Sequence, residues 1–187
     1  MPQKIVDVDP SKPIATAAEE FRVAARSLII LLGAFDQSLN ERTRSVFSRV
    51  VVPVAVEANA LILDDAGTTG CAPLMAQATL DQDTVPTLIG VIRNDRTGND
   101  IDPNHELVLR LPAVWSSQAK YWFQLAAGLA PDAASSTRVA ALLFGGGSTE
   151  KQAVLWCARR GWPLLIVGKT GGLDSRLLEQ SRPIDST

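Results

Sequence analysis

Two stretches of this chain combine glycine, short hydroxyl side chains and carboxylates at spacings suited to holding a phosphate or a sugar. In the first, Asp64 and Asp65 precede Gly67, Thr68, Thr69 and Gly70; in the second, Gly145, Gly146 and Gly147 run into Ser148, Thr149 and Glu150, with Gln152 beyond them. Glycine allows a ligand close to the backbone, and the amides and macrodipole of a helix N-terminus favour an anion. The triple glycine and the hydroxyls of Ser148 and Thr149 are therefore expected to hold a phosphate. Gly67 to Gly70 are expected to hold a second phosphate or its ribose, with Asp64 or Asp65 accepting from sugar hydroxyls. Glycines also serve turns and helix starts without any ligand, and Thr149 and Gln152 alone have the spacing of a capping box.

Other motifs exclude chemistry. "VGKTGG" (167–172) contains the Gly-Lys-Thr of a phosphate-binding P-loop, but the glycine required five residues before Gly168 is Pro163. Lys169 and Arg93 remain candidate counter-charges, Lys169 as a point charge or as a solvated loop residue. "LLGAFDQSLN" offers a single glycine, Gly33, so the dinucleotide fingerprint of a standard Rossmann dehydrogenase is missing. His105 is the sole histidine, which leaves no histidine-rich metal site or two-histidine relay, and no G-x-S-x-G nucleophile elbow is present. His105 is either a structural hydrogen-bonding residue beside a Pro-Asn turn or, with Trp115, a flank for a base or terminal ribose.

The elements that must position these residues alternate along the chain. "SLIILLGAF" (27–35), "ALILDDA" (60–66), "TLIGVI" (87–92), "HELVLRL" (105–111), "RVAALLF" (138–144) and "PLLIVG" (163–168) read as strands, several of them apolar throughout, as in sheets covered on both faces. Between them lie helical segments at about 14–26, 40–59 (interrupted by Pro53), 71–80, 116–130, 148–160 and near "LDSRLLEQ". "KIVDVD" is an edge strand or a loose arm, and the polar loop 93–104 is long enough to suggest a role in function. This alternation predicts an α/β fold, Rossmann-like, with a mostly parallel sheet and helices on both faces. In such sheets ligands bind beyond the carboxyl ends of the strands. Gly33, the two glycine loops and Gly168 with Gly171 and Gly172 all fall there.

With 187 residues, 46% apolar, the chain is expected to form one compact unit, in which 1–26 are an N-terminal arm and helix and 27–187 the ligand-binding domain. A formal charge of -2 gives no general drive toward nucleic acid. The run at 27–35 is far shorter than the roughly 20 residues that span a bilayer. Cys71 and Cys157 are too few for a metal cluster, and no segment resembles a secretion signal; reduced thiols in a cytoplasm are expected.

Taken together, "LDDAGTTGCAPLM", "DPNHELVLRLPAVW" and "LLFGGGSTEKQAVLWCARRGWPLLIVGKTGGLDSRL" resemble the SLOG superfamily, and within it the prokaryotic LSDAT-type domains, over about residues 27–180. The resemblance rests on the Pro-Asn-His motif, a Trp ten residues beyond that His, and the Gly-Trp-Pro before the last strand. Members are similar to the cytosolic ligand-sensing region of melastatin-type TRP channels and, more distantly, to LOG phosphoribohydrolases. It implies a Rossmann-like sheet and a nucleotide-derived ligand, with NAD-derived ADP-ribose species favoured, and adds Asn104 to the candidate ligand residues.

LOG enzymes carry Pro-Gly-Gly-x-Gly-Thr-x-x-Glu, whose glutamate serves hydrolysis of the N-glycosidic bond. Here Gly145, Gly146 and Thr149 match, whereas Phe144 replaces the proline, Ser148 the third glycine and Gln152 the glutamate. An amide is no general acid or base near neutral pH, although it can hydrogen-bond a ribose hydroxyl. Glu150 lies about 200° around the helix from position 152. The expectation is a non-catalytic sensor or binder of an ADP-ribose-like or NAD-like ligand, needing no cofactor and reporting to an effector protein, or through a homo-oligomer. The alternatives are a nucleoside-monophosphate phosphoribohydrolase or related hydrolase, with Glu150 as its carboxylate, and a structural scaffold.

Overall fold

The computed structural model describes residues 3–12, 27–33, 40–80, 82–96, 98–112, 122, 124–127, 139–168, 173, 176 and 177. Seven strands form one sheet: β1 (Lys4–Asp7), β2 (Ser27–Leu32), β3 (Ala60–Asp64), β4 (Leu88–Arg93), β5 (Leu107–Leu111), β6 (Val139–Phe144) and β7 (Leu164–Val167). Their spatial order is β1-β5-β4-β3-β2-β6-β7, and every pairing is parallel. The expected mostly parallel α/β sheet is thus present, and "KIVDVD" supplies an edge strand whose Lys4 pairs with Leu107.

Successive strand side chains point to opposite faces, so apolar runs such as "SLIILL" feed two cores. Leu28, Ile30 and Leu32 pack on one face with Trp122, Leu125, Ala153, Cys157 and Trp162. Leu31, from the same strand, packs on the other with Phe47, Val52, Leu74 and Met75. Each fully buried Leu or Ile contributes roughly 1.5–3 kcal/mol. The centre of the sheet, where both faces are covered, anchors everything at the strand ends.

The second face is covered by α1 (Asn40–Val46), α2 (Val52–Glu57) and α3 (Cys71–Leu80), and α4 (Ser148–Arg160) lies on the first. Pro53 does not break the 40–57 segment. It occupies the first turn of α2, and the preceding residues Phe47–Val51 widen into a π-helical turn. Pro53 has no N–H to give to the preceding helical turn, and the wider turn takes up the misfit between the two α-helical stretches. Phe47 on that turn meets Phe144 edge-on, ring centroids 4.9 Å apart, which ties the π turn to the end of β6. The expected helices at 14–26, 116–130 and near "LDSRLLEQ" lie wholly or largely outside the described residues.

From β2 the chain steps to β3, β4 and β5 on one side, then returns to place β6 and β7 on the other. The direction of winding reverses between β2 and β6. A reversal of this kind opens a crevice beyond the strand ends, because the connections on either side lead away from each other.

Candidate functional site

Gly33 ends β2 at this reversal. A Cβ there would lie 2.1 Å from the Phe144 carbonyl oxygen at the end of β6 and 3.1 Å from the Cys71 sulfur at the start of α3. Only a residue without a side chain lets these three chain segments meet, so Gly33 marks the floor of the crevice.

On the β6 side, Gly145, Gly146 and Gly147 lead into α4. Gly146 has φ +96°, and a Cβ on it would meet the Cβ and Cγ of Glu150 at 2.8 and 2.9 Å. Gly147 is the N-cap residue. Having no side chain, it offers no cap of its own; instead its N–H donates to Glu150 Oε2 at 2.7 Å. The helix start is thus stabilised by a carboxylate placed at the positive end of the dipole. The capping spacing of Thr149 and Gln152 is not the one used: these residues lie inside α4, and Gln152 is exposed. Ser148 and Thr149 are the first two residues of that helix. Leu173 N–H donates to the Gly146 carbonyl at 2.9 Å, bringing the chain beyond β7 against this loop. Gly168, half-buried, follows β7 at the same sheet edge; Lys169 lies outside the described residues.

On the β3 side, two successive aspartates bend the chain. Ala66 N–H donates to Asp64 Oδ1 at 2.8 Å, and Gly67 N–H to Asp65 Oδ1 at 3.2 Å. Such side-chain turns are the usual work of aspartate outside helices. They leave Gly67 buried, Gly70 half-buried, and Thr68 and Thr69 exposed at the start of α3.

Asp64 and Asp65 differ sharply. Asp64 is 1% exposed, and its Oδ1 also accepts from His105 Nε2 at 2.7 Å. On the ring's other side, Nδ1 lies 3.6 Å from Asp102 Oδ1, an ion-pair distance longer than a hydrogen bond. Burial opposes charge on this imidazole, but the Asp64 charge, followed by the contacts with Asp102 and Asp64, raises its pKa to about 10. His105 is therefore an imidazolium at neutral pH, donating to Asp64. Asp102 is itself offset by burial, but His105 and the Asn104 N–H groups, which donate to Oδ1 at 2.9 and 3.0 Å, hold its carboxyl below the ordinary range.

Asp65 is only partly covered, and its Oδ2 faces Arg96 at 3.8 Å with both side chains about a third exposed (35% and 37%). Burial, and then the charge of Asp64, push its pKa up against the pull of the Gly67 amide and Arg96. The Cys71 thiol is pushed well up by burial and then by Asp64, Asp65 and Glu150. Cys71 therefore senses the carboxylates of both loops at once.

The expected site residues divide accordingly. Gly33 follows β2, Asp65, Gly67 and Gly70 follow β3 and Gly145 to Gly147 follow β6, all at the carboxyl edge of the parallel sheet, whereas the Asp64 side chain is buried. His105 is buried too, and Asn104, although exposed, spends its amide on Asp102. Arg93 pairs instead with Asp95 at 2.8 Å on an exposed surface. Trp115 lies outside the described residues. Sequence reasoning did not single out Arg96, Asp102 or Cys71. Arg96 stands three residues beyond Arg93 and Asp102 three before His105, so their types were signals; the side-chain partners of Asp102 are local, but that of Arg96 comes from the turn after β3. Among the described residues, no group of three or more His, Cys, Asp and Glu side chains could hold a metal ion, and no helix is long and apolar enough to cross a membrane.

Comparison with known proteins bears on this geometry. The family described as "SLOG in TRPM, prokaryote" matches residues 26–187. The X-ray structure of TM1055, a target of the Northeast Structural Genomics Consortium, is similar with a TM-score of 0.57, covering 82% of this chain and 81% of that one at 14% identity. At that identity the likeness speaks for the fold. No curated protein sequence matches the chain.

Proposed function

This chain belongs to the prokaryotic SLOG-in-TRPM family, and from that premise we propose that it binds a nucleotide-derived ligand, ADP-ribose-like or NAD-like, without cleaving it. The observation that carries the proposal is the meeting of Gly33, Phe144 and Cys71 at the reversal between β2 and β6, with a glycine loop on one side and an aspartate turn on the other. The phosphates lie along Gly145 to Gly147 at the start of α4, where amides and dipole favour an anion. The sugar lies toward β3, where carboxylates accept hydroxyl protons. Gln152, in the position of the LOG glutamate, supplies no acid or base. The protein acts in the cytoplasm, needs no cofactor, and passes the bound state to an effector protein or to a second copy of itself.

A hydrolase is the second reading, favoured by one observation: Glu150 folds back onto the Gly147 amide and its charge reaches Cys71, so a carboxylate is present at the crevice. Calorimetric titration with ADP-ribose, NAD and AMP, followed by chromatography of each mixture after long incubation, separates the two. Saturable binding with the ligand recovered intact is expected. Free base or ribose 5-phosphate would establish the hydrolase and remove the sensor.

A further inference from the structure

The two adjacent carboxylates at the end of β3 are not equivalent, and their difference bears on which ligand the crevice takes. Asp64 is buried: Oδ1 accepts from the Ala66 amide and from His105, and Oδ2, with no hydrogen-bond partner among the described residues, is sealed from solvent. Asp65 is the one that faces outward. Its Oδ1 accepts from the Gly67 amide at 3.2 Å, while among the described residues Oδ2 faces the Arg96 guanidinium at 3.8 Å. That separation exceeds a hydrogen bond and leaves Oδ2 able to accept from a ligand.

Arg96 is positioned by the same turn. A Cβ on Gly67 would lie 2.8 Å from Arg96 Nη1, so the guanidinium lies directly over the glycine. Gly67 also bridges to Ile101, and Asp102 N–H donates to the Ala66 carbonyl at 2.9 Å. The turn and the loop carrying Arg96 are therefore held together by backbone contacts, and the Asp65–Arg96 spacing is built in.

Resting on the proposed nucleotide site, we infer that Asp65 and Arg96 together determine whether the ligand's adenosine ribose can carry a phosphate. β3 is the neighbour of the strand at the reversal; a carboxylate at that strand end accepts from a sugar hydroxyl, whereas a guanidinium there binds a phosphate. Here both are present. The carboxylate repels a 2′-phosphate and offsets the charge of the guanidinium 3.8 Å away that would otherwise attract it. The crevice therefore selects a ribose with both hydroxyls free, and Arg96 is available to a phosphate only when Asp65 loses its charge.

The test is calorimetric titration with four probes: ADP-ribose, its 2′-phosphate, NAD and NADP. Wild-type protein is expected to bind each unphosphorylated probe at least 10-fold more tightly than its 2′-phosphorylated counterpart. Asp65→Asn keeps an acceptor for the Gly67 amide, so the turn should persist, as a thermal melt will check. This variant should lose about 10- to 100-fold in affinity for ADP-ribose, the range for a hydrogen bond to a charged group, and gain affinity for the 2′-phosphate. Adding Arg96→Gln should abolish that gain while leaving ADP-ribose affinity as in the single variant.

A wild-type preference for the phosphorylated probes, or an unchanged preference in folded Asp65→Asn, overturns this inference and leaves the nucleotide site standing. Binding of none of the four probes overturns both. The wild-type ratio decides even if the variant does not fold.

Discussion

The loops after β3 and β6 flank one crevice yet are held by opposite means. The β3 turn is fixed by side chains: two aspartates each accept from the amide two residues on, and a buried imidazolium lies between Asp64, at the end of β3, and Asp102, before β5. The β6 loop is fixed by what it lacks. Its glycines allow backbone conformations and approaches that a side chain would obstruct, and its only described side-chain tether is Glu150 on the Gly147 amide. A loop with committed side chains presents a rigid rim with a chosen chemistry. A bare loop presents amides, which recognise an anion of almost any identity. On this division, affinity for a phosphate comes from β6 and choice of sugar from β3.

The comparison breaks most completely at the floor common to both loops. Gly33→Val would drive a side chain into the Phe144 carbonyl, 2.1 Å from the first added carbon. Main chain cannot yield cheaply at the centre of a packed sheet, so little or no folded protein is expected by circular dichroism and size-exclusion chromatography.

Next in size is the rigid rim. His105→Ala leaves Asp64 buried without its counter-charge and should cost about 3–5 kcal/mol in urea unfolding. The same histidine makes stability depend on pH. Its pKa is about 10 in the folded protein against 6.5 unfolded, so its stabilisation is complete below pH 6.5 and fades as pH climbs toward 10. Thermal midpoints of the wild type should therefore fall between pH 6.5 and 8, below the range where unfolded cysteines, with an ordinary pKa of 9.0, ionise appreciably. His105→Gln should flatten that decline. A midpoint equally pH-dependent in both proteins would detach the rim from this ion pair.

Smaller again is Gly146→Ala in the bare loop. It places a β-carbon at φ +96° and against Glu150, a strain of roughly 1–2 kcal/mol. The fold should survive, with a modestly lower thermal midpoint, while ADP-ribose affinity falls because the glycine turn can no longer hold its shape. Unchanged affinity in the folded variant would remove the β6 loop from the site.

Much of this fold was legible because its signals are local. The apolar runs, the glycines that stop them and the Gly-Thr-Thr-Gly before Cys71 each lie within a few residues of what they determine, and α3 and α4 begin and end where periodicity puts them. The site was legible only as a set of loops. Asp64 and His105 stand 41 residues apart and meet because β3, β4 and β5 are neighbours. Arg93, at the end of β4, pairs with Asp95 two residues on, whereas only tertiary placement brings Asp65 to Arg96. The helix cap misleads for a related reason. Thr149 and Gln152 have suitable types at a suitable spacing, but the φ +96° turn at Gly146 starts the helix earlier and makes Glu150 the third residue.

That early start makes Glu150→Gln the smallest perturbation and the sharpest test of the bare loop. The amide retains an acceptor for Gly147 N–H but loses the negative charge at the helix start, worth about 0.3–1 kcal/mol. The thermal midpoint should barely move. Glu150 already occupies an amide that a ligand phosphate would use, and two anions at one helix start repel. With a non-catalytic site, removing the carboxylate charge should tighten ADP-ribose binding several-fold, and the gain should shrink in high salt. With Glu150 as a catalytic carboxylate, the same substitution would abolish product release instead. Binding and turnover therefore respond to this one substitution in ways that the two readings of the crevice cannot both satisfy.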